Sequence, residues 1–375
     1  MTGGVYLHVP FCGSPCSYCH FARTATHDAA SRGRVVRAMI REFDLRRRAC
    51  PGLAAGRHEV ATVYVGGGTP SLLEPALLQR LLDRTVDRLP RAEGAEITAE
   101  ANPESFTAEV ATAWREAGVN RVSLGVQSLD PAVLELLGRQ CAPDTARAAL
   151  ALAGRTFARV SADWILGPGV APARLFAELD EALDLGVEHV SLYILELHAG
   201  TPLARAVADG AVVLPADHET EALYLACGEH LARRGLRQYE VSNFARPGAE
   251  SRHNQAYWSG RPFLGLGPSA SGFWGRRRYT NARTLDAYLA RVEAGALPED
   301  EVDPLTPAAR RLEALLLPLR TAAGVPCERL PDGALDLEAG LREGLWTVTG
   351  GRLALTPRGF LRIDTIEELL ARTLG

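Results

Sequence analysis

The chain has 375 residues, with 41 basic against 45 acidic side chains, a formal net charge of −4 and 47% hydrophobic residues. That composition supports a full core and excludes a disordered chain, and its mild acidity gives no sign of a nucleic-acid groove, so no nucleic-acid partner is expected. All 41 basic residues are arginine, which removes Schiff-base lysine chemistry and a P-loop lysine.

At roughly 150 residues per domain, the length predicts two domains or one large α/β domain with an appendage. The start of the chain, Met1 to Val9, lacks the charged and long apolar segments of a signal peptide, and no apolar run is long enough to span a bilayer. A cytoplasmic location is expected. Seven cysteines, three of them crowded into Cys12–Cys19, read as metal or redox chemistry rather than a disulfide framework.

In chain order, strands are expected at Val5–Val9, Thr62–Val65, Glu96–Ala99, Arg121–Leu124, Arg159–Ile165 and His189–Leu195. Helices are expected between them at Arg34–Arg48, Pro75–Arg88, Thr107–Ala117, Asp144–Leu152 and Ala173–Leu185. Gly118 and Gly186 stand where helices should stop, and Pro75 and Pro131 where they should start. Alternation of this kind predicts a parallel sheet, either doubly wound or a complete or partial β/α barrel. Residues 200–214 read as a connection, followed by a helix at His218–Arg234. After a break at Pro304–Pro307, helices are expected at Ala308–Leu317, Leu335–Gly344 and Phe360–Leu369. A hairpin around Gly350–Gly351 would give the tail a winged-helix-like form. The expected division is a barrel core over 1–200, an extension over 201–303 and a C-terminal helical domain over 304–375.

Cys12-Gly-Ser-Pro-Cys16-Ser-Tyr-Cys19 follows the first expected strand. Three soft thiolates on one loop can ligate three irons of a [4Fe–4S] cluster and leave the fourth open. A structural zinc site completed by His8 or His20 is the rival, although zinc sites usually show a second cysteine pair. The spacing C-x3-C-x2-C, with an aromatic residue before the last cysteine, resembles the radical S-adenosylmethionine (SAM) superfamily. The resemblance implies a full or partial β/α barrel, a [4Fe–4S] cluster, and SAM bound to the open iron and cleaved to a 5′-deoxyadenosyl radical.

Strand ends carry the chemistry of β/α barrels, and here polar residues arrive in order: Gly66-Gly67-Gly68-Thr69-Pro70, then Glu100, Gln127-Ser128, Arg139 and Asp163. A glycine run lets the backbone approach a ligand, and a carboxylate such as Asp163 between apolar neighbours is costly unless partnered. Together with Tyr6 and His8 this order resembles one subgroup, the oxygen-independent coproporphyrinogen III dehydrogenases (HemN) and the heme chaperones (HemW), over nearly the whole chain. The resemblance implies that Tyr6, Tyr18, Gly67, Gly68, Thr69, Glu100, Gln127, Arg139 and Asp163 line one or two SAM pockets.

Within the subgroup, Phe21 stands where the dehydrogenases carry a further cysteine, and His253-Asn254-Gln-Ala-Tyr257-Trp258 resembles a chaperone signature. An imidazole beside aromatic faces suits a porphyrin, so His253 is the expected heme residue. The resemblance implies heme as cargo, a heme-recipient protein and a flavodoxin- or ferredoxin-type electron donor. It leaves a homodimer and peripheral membrane association open. Cys141 and Ser271 replace histidines usual in the family, and Asp163-Trp164-Ile-Leu-Gly167-Pro-Gly departs from its usual Asp-Leu-Ile-x-Gly-Leu-Pro. The alternative is therefore a radical SAM enzyme, a HemN-like methyltransferase or the dehydrogenase. Cys50, Cys141, Cys227 and Cys327, scattered singly, are expected not to ligate the cluster.

Overall fold

The computed structural model describes residues 2–25, 27–56, 59–275 and 277–374. Its first half is a run of strand–helix units: β1 (Thr2–Val9), α1 (Ala29–Ala49), α2 (Pro51–Ala54), β2 (Glu59–Gly67), α3 (Pro75–Arg84), β3 (Arg91–Ala101), α4 (Ala108–Glu116), β4 (Arg121–Gln127), α5 (Pro131–Leu136), α6 (Pro143–Thr156), β5 (Arg159–Leu166), α7 (Pro172–Asp184) and β6 (His189–Ile194). Strands β1 to β6 pair in sequence order and all in parallel. The helix expected over Pro75–Arg88 stops at Arg84, because Thr85 leaves helical geometry and a short 3-10 turn follows.

Beyond β6 come α8 (Pro202–Ala208), α9 (Asp217–Arg233), β7 (Arg237–Gln238), β8 (Asn243–Ala245), α10 (Arg252–Trp258), β9 (Phe263–Leu266), β10 (Ser271–Trp274), β11 (Arg277–Asn281), α11 (Leu285–Glu293) and β12 (Glu299–Pro304). Helix α8 lies inside the segment read as a plain connection. The Thr201 side chain caps it and Pro202 occupies its first turn. Strand β9 returns parallel beside β1, and the sheet order is β12-β11-β10-β9-β1-β2-β3-β4-β5-β6-β8-β7. The sheet thus ends at β12 and β7 and does not close, so the barrel is partial. The tail holds α12 (Pro307–Leu319), β13 (Val325–Pro326), α13 (Leu337–Arg342), β14 (Trp346–Thr349), β15 (Arg352–Leu355), α14 (Pro357–Phe360) and α15 (Ile363–Leu374). The hairpin around Gly350–Gly351 forms, and β13 adds a third strand on β15. Trp346, Leu353, Phe360 and Ile366 pack there in an apolar cluster of their own.

Side chains alternate across the parallel strands. One set (Leu7, Val63, Val65, Ala99, Val122, Leu124, Ala162, Trp164, Val190 and Leu192) is buried in the main apolar core with Met39, Phe43, Leu78, Trp114 and Leu179 of the helices. The alternate set is polar: Tyr6 and His8, Thr62 and Tyr64, Thr98 and Glu100, Arg121 and Ser123, Ser161 and Asp163, His189 and Ser191. That polar set is the inner lining, and it leads to the strand ends where the cysteine loop sits.

Candidate cluster and cofactor site

The loop leaving β1 is tied at its neck. Cys12 N donates to Thr24 O at 3.0 Å and Thr24 N to Pro10 O at 2.7 Å, while His8 Nε2 meets Ala22 O at 3.0 Å. Its middle docks on the neighbouring units. Ser17 N donates to Leu137 O at 3.0 Å, Ser17 Oγ to Leu136 O at 2.9 Å, and Leu203 N at the start of α8 to Ser17 O at 2.9 Å. The three cysteines therefore face the strand ends from a braced loop. They line a cavity of about 430 Å³ together with Tyr18, Gly67, Gly68, Thr69, Glu100, Gln127, Arg139 and Asp163.

A path of polar contacts runs from one thiol to another across three strand ends. Thr69 Oγ1 donates to Cys12 Sγ (3.9 Å), and Asn102 Nδ2 donates to Thr69 Oγ1 (3.3 Å) and to Glu104 Oε1 (3.1 Å). Glu104 pairs with Arg139 (3.5 Å), whose Nη1 donates to Cys16 Sγ at 3.7 Å and Nη2 to Gly125 O at 2.8 Å. Burial is the main cause that pushes the Cys12 thiol up, and the nearby Cys19 and Cys16 sulfurs add to it.

The glycine run earns its composition from contacts. Gly67 has φ +113°, and a Cβ there would lie 2.7 Å from His8 Cε1. One on Gly68 would lie 2.5 Å from Phe11 O. Glu100 pins this turn, accepting from Tyr64 Oη at 2.7 Å and from Gly67 N at 3.1 Å, and burial raises its carboxyl. Asp163 accepts weakly from Ser123 Oγ (3.4 Å). Burial, with the Glu100 charge a smaller cause, pushes Asp163 up to about 7. Gln127 reaches the cavity from a left-handed backbone, φ +69°, which few non-glycine residues adopt.

Two expected residues lie elsewhere. Tyr6 sits below the cavity, its hydroxyl 3.0 Å from His8 Nδ1 and its ring stacked on Tyr64. His253, on α10, is 1% exposed at the base of the sheet. Its Nδ1 contacts Thr62 Oγ1 at 2.9 Å and its Nε2 contacts Tyr257 Oη at 2.7 Å, so neither nitrogen is open to a heme iron. Burial pushes it down to about 3. Trp258 of the same motif donates to the buried Glu240 at 3.0 Å. The motif thus acts as a plug in the base of the sheet. The two residues that replace family histidines do not line the cavity: Cys141 is buried beside Glu104 with its thiol on Ala142 O (3.4 Å), and Ser271 pairs with Thr280 on β10–β11. Sequence reasoning passed over Asn102, Glu104, Tyr64 and Ser123. Asn102 could have been found, because it lies two residues past Glu100 on the same side of the chain.

The donor set fits an iron–sulfur cluster better than zinc. Three thiols share one cavity and two of them receive side-chain donors; of the two imidazoles that could complete a zinc site, His8 has both ring nitrogens engaged, and His20 stands at the cavity mouth with its ring against His198. No helix among the described residues is long and apolar enough to cross a membrane.

Comparison with known proteins agrees. The model of the radical SAM superfamily matches residues 6–182. A Mycobacterium tuberculosis protein named heme chaperone HemW is 41% identical over 375 residues, covering 98% of this chain and 94% of that one. A mitochondrial radical S-adenosyl methionine domain-containing protein 1 of Bos taurus is 36% identical over 334 residues, covering 86% and 74%. The Escherichia coli coproporphyrinogen III oxidase HemN shares the fold, with a TM-score of 0.83 at 22% identity over 99% of this chain and 90% of that one. The radical SAM family implies a [4Fe–4S] cluster and SAM. The chain belongs to the radical SAM superfamily, in the HemN/HemW-like group.

Proposed function

We propose that this protein is a heme chaperone of the HemW kind: it holds a [4Fe–4S] cluster on Cys12, Cys16 and Cys19, binds SAM across the strand ends, and passes heme to a recipient protein. The observation that carries this reading is the convergence of the three thiols, the Gly67–Thr69 turn and the polar ends of β3 to β5 on one cavity. Bound there, the cluster would supply an open iron and one electron for SAM.

The chain's own groups account for the rest. The Gly67–Gly68 turn offers backbone to a ligand's amino group, and Glu100 holds that turn in place. Arg139 has a buried Nε without a partner among the described residues, which suits a carboxylate such as that of SAM. Asp163 and Ser123 suit hydroxyl groups such as those of a ribose. Tyr18 packs with Val133, Leu137 and Ile165 and closes the apolar side. Phe21, 61% exposed beside the cavity, can neither ligate metal nor donate a hydrogen atom, which favours binding a porphyrin over converting it. Cys141 and Ser271 do not line the cavity, so the lost histidines give the methyltransferase reading no support.

Anaerobic reconstitution tests the proposal. About four irons per chain, a SAM-dependent change in the cluster spectrum and a Soret band on heme titration are expected. Conversion of coproporphyrinogen III to protoporphyrinogen under reducing conditions would overturn it in favour of the dehydrogenase. Methyl transfer from SAM without heme binding would favour the methyltransferase. A reduced flavodoxin or ferredoxin and an apo-heme protein complete the assay as electron donor and recipient.

A further inference from the structure

Heme carriage calls for an iron ligand, and His253 has neither nitrogen open. A different imidazole pair stands at the mouth of the cavity. His20 follows the last cluster cysteine, and His198 lies on the loop between β6 and α8. Their ring centroids are 3.4 Å apart, and both rings line the cavity. His20 is exposed, and its ring nitrogens make no hydrogen bond among the described residues. His198 Nε2 lies 3.5 Å from Oε2 of the exposed Glu196.

Two further features meet at the same mouth. Phe21 lies 4.9 Å from His20, and Phe21 and Ile194, both lining the cavity, are exposed apolar side chains. Surface apolar groups gathered at one opening mark a binding site more often than chance exposure. Cations stand beside them. Arg23 lines the cavity with a buried Nε that has no partner among the described residues, and Arg283 Nη2 donates to His20 O at 3.1 Å. An imidazole donor, an apolar rim and guanidinium groups are what a flat iron tetrapyrrole with two carboxylates requires: a ligand for the metal, cover for the ring faces and partners for the propionates.

We infer that the His20–His198 rim supplies the axial ligand of a heme docked over the cavity mouth, with Phe21 against the ring and Arg23 and Arg283 toward the propionates. This rests on the heme-carrying reading above. The two rings are so close that either could ligate when the other is lost, so both must be changed together.

The test titrates hemin into the full, anaerobically reconstituted chain and follows the Soret band and the spin state of the heme iron, with iron and sulfide assayed separately. The double substitution His20→Ala with His198→Ala is expected to keep the cluster, lose the imidazole-ligated spectrum and weaken hemin binding at least about tenfold. His253→Gln is expected to keep both spectrum and affinity. The pair His20→Gln with His198→Gln, closer in size and polarity, serves should the alanine pair disturb the cluster. An unchanged Soret band and affinity in the double variant, or their loss in His253→Gln, would overturn the inference. If the unsubstituted protein binds no hemin, the heme-carrying reading itself falls, a result distinct from either.

Discussion

The mouth of this sheet and the His253 plug in its base are both built from polar residues, yet they are opposite kinds of place. At the base, His253, Tyr257, Thr62, Trp258 and Glu240 satisfy one another, and Glu96 accepts from the backbone nitrogens of Arg252 (3.2 Å) and His253 (3.0 Å). At the mouth, the three thiols, the Arg139 Nε, the His20 ring and a carboxyl near neutrality face a shared cavity with capacity unused. A buried polar group whose partners are all in the chain stabilises and specifies the fold, whereas a polar group left open awaits a ligand. Motif density alone does not separate the two.

The largest effect that could break this contrast concerns cysteine. Alanine at Cys12, Cys16 or Cys19 is expected to abolish the cluster, whereas alanine at Cys50, Cys141, Cys227 or Cys327 leaves iron and sulfide content unchanged. Loss of iron from any of the second group would show that the mouth has been drawn too narrowly. Next in size is the base. His253→Ala removes a buried ring and orphans the Thr62 and Tyr257 hydroxyls, so urea unfolding should show a loss of about 2–4 kcal/mol. A loss below about 1 kcal/mol would mean that the His253 plug is not satisfied as described.

Gly67→Ala tests the turn between the two regions. It meets a positive φ and a contact of 2.7 Å with His8, and should cost about 1–3 kcal/mol together with SAM affinity, read by unfolding and by equilibrium binding. Asp163→Asn sharpens the picture through pH. Burial raises this carboxyl from 3.8 to about 7, so between those values the folded chain binds more protons than the unfolded one. Stability then falls as pH rises across that window, and the penalty is fully present above it. The cluster-free Asp163→Asn variant should gain up to about 4 kcal/mol over the parent at pH 8, about three pKa units at about 1.4 kcal/mol each, and only about 0.5 kcal/mol at pH 4. An equal gain at both pH values would rule out titration as the cause. The smallest effect is at the rim: His198→Ala, half-exposed, should alter urea stability by no more than about 0.5 kcal/mol.

The parallel half of the fold was legible because period-2 apolar runs such as Thr62–Val65 and Arg159–Ile165 alternate with helices punctuated by Pro75, Gly118 and Gly186. Residues 237–304 were not. Strands as short as β7, β8 and β10 show no period, and their pairing is decided by distant partners such as β6 and β9. For the site, cysteine spacing and the order of strand-end residues carried the signal. Tyr6 and His253 show its limit: alternation along a strand tells which face a side chain takes, but not how deep it lies. The Thr69–Asn102–Glu104–Arg139 path and the meeting of His20 with His198 depend on segments brought together only by folding.

The open ends of the sheet carry a consequence for solution behaviour. An uncovered strand can template the strand of another molecule, the first step toward fibrous aggregation. At one end, β12 exposes Asp300, Glu301 and Asp303, while Glu299 turns inward to Arg46 and Arg277, and the strand finishes in Pro304. At the other, β7 spans two residues. A second copy brought against β12 would set acid against acid, and β7 is too short to guide register. Sheet extension is therefore a poor route to self-association for this protein, and two copies that do associate must meet through side-chain surfaces.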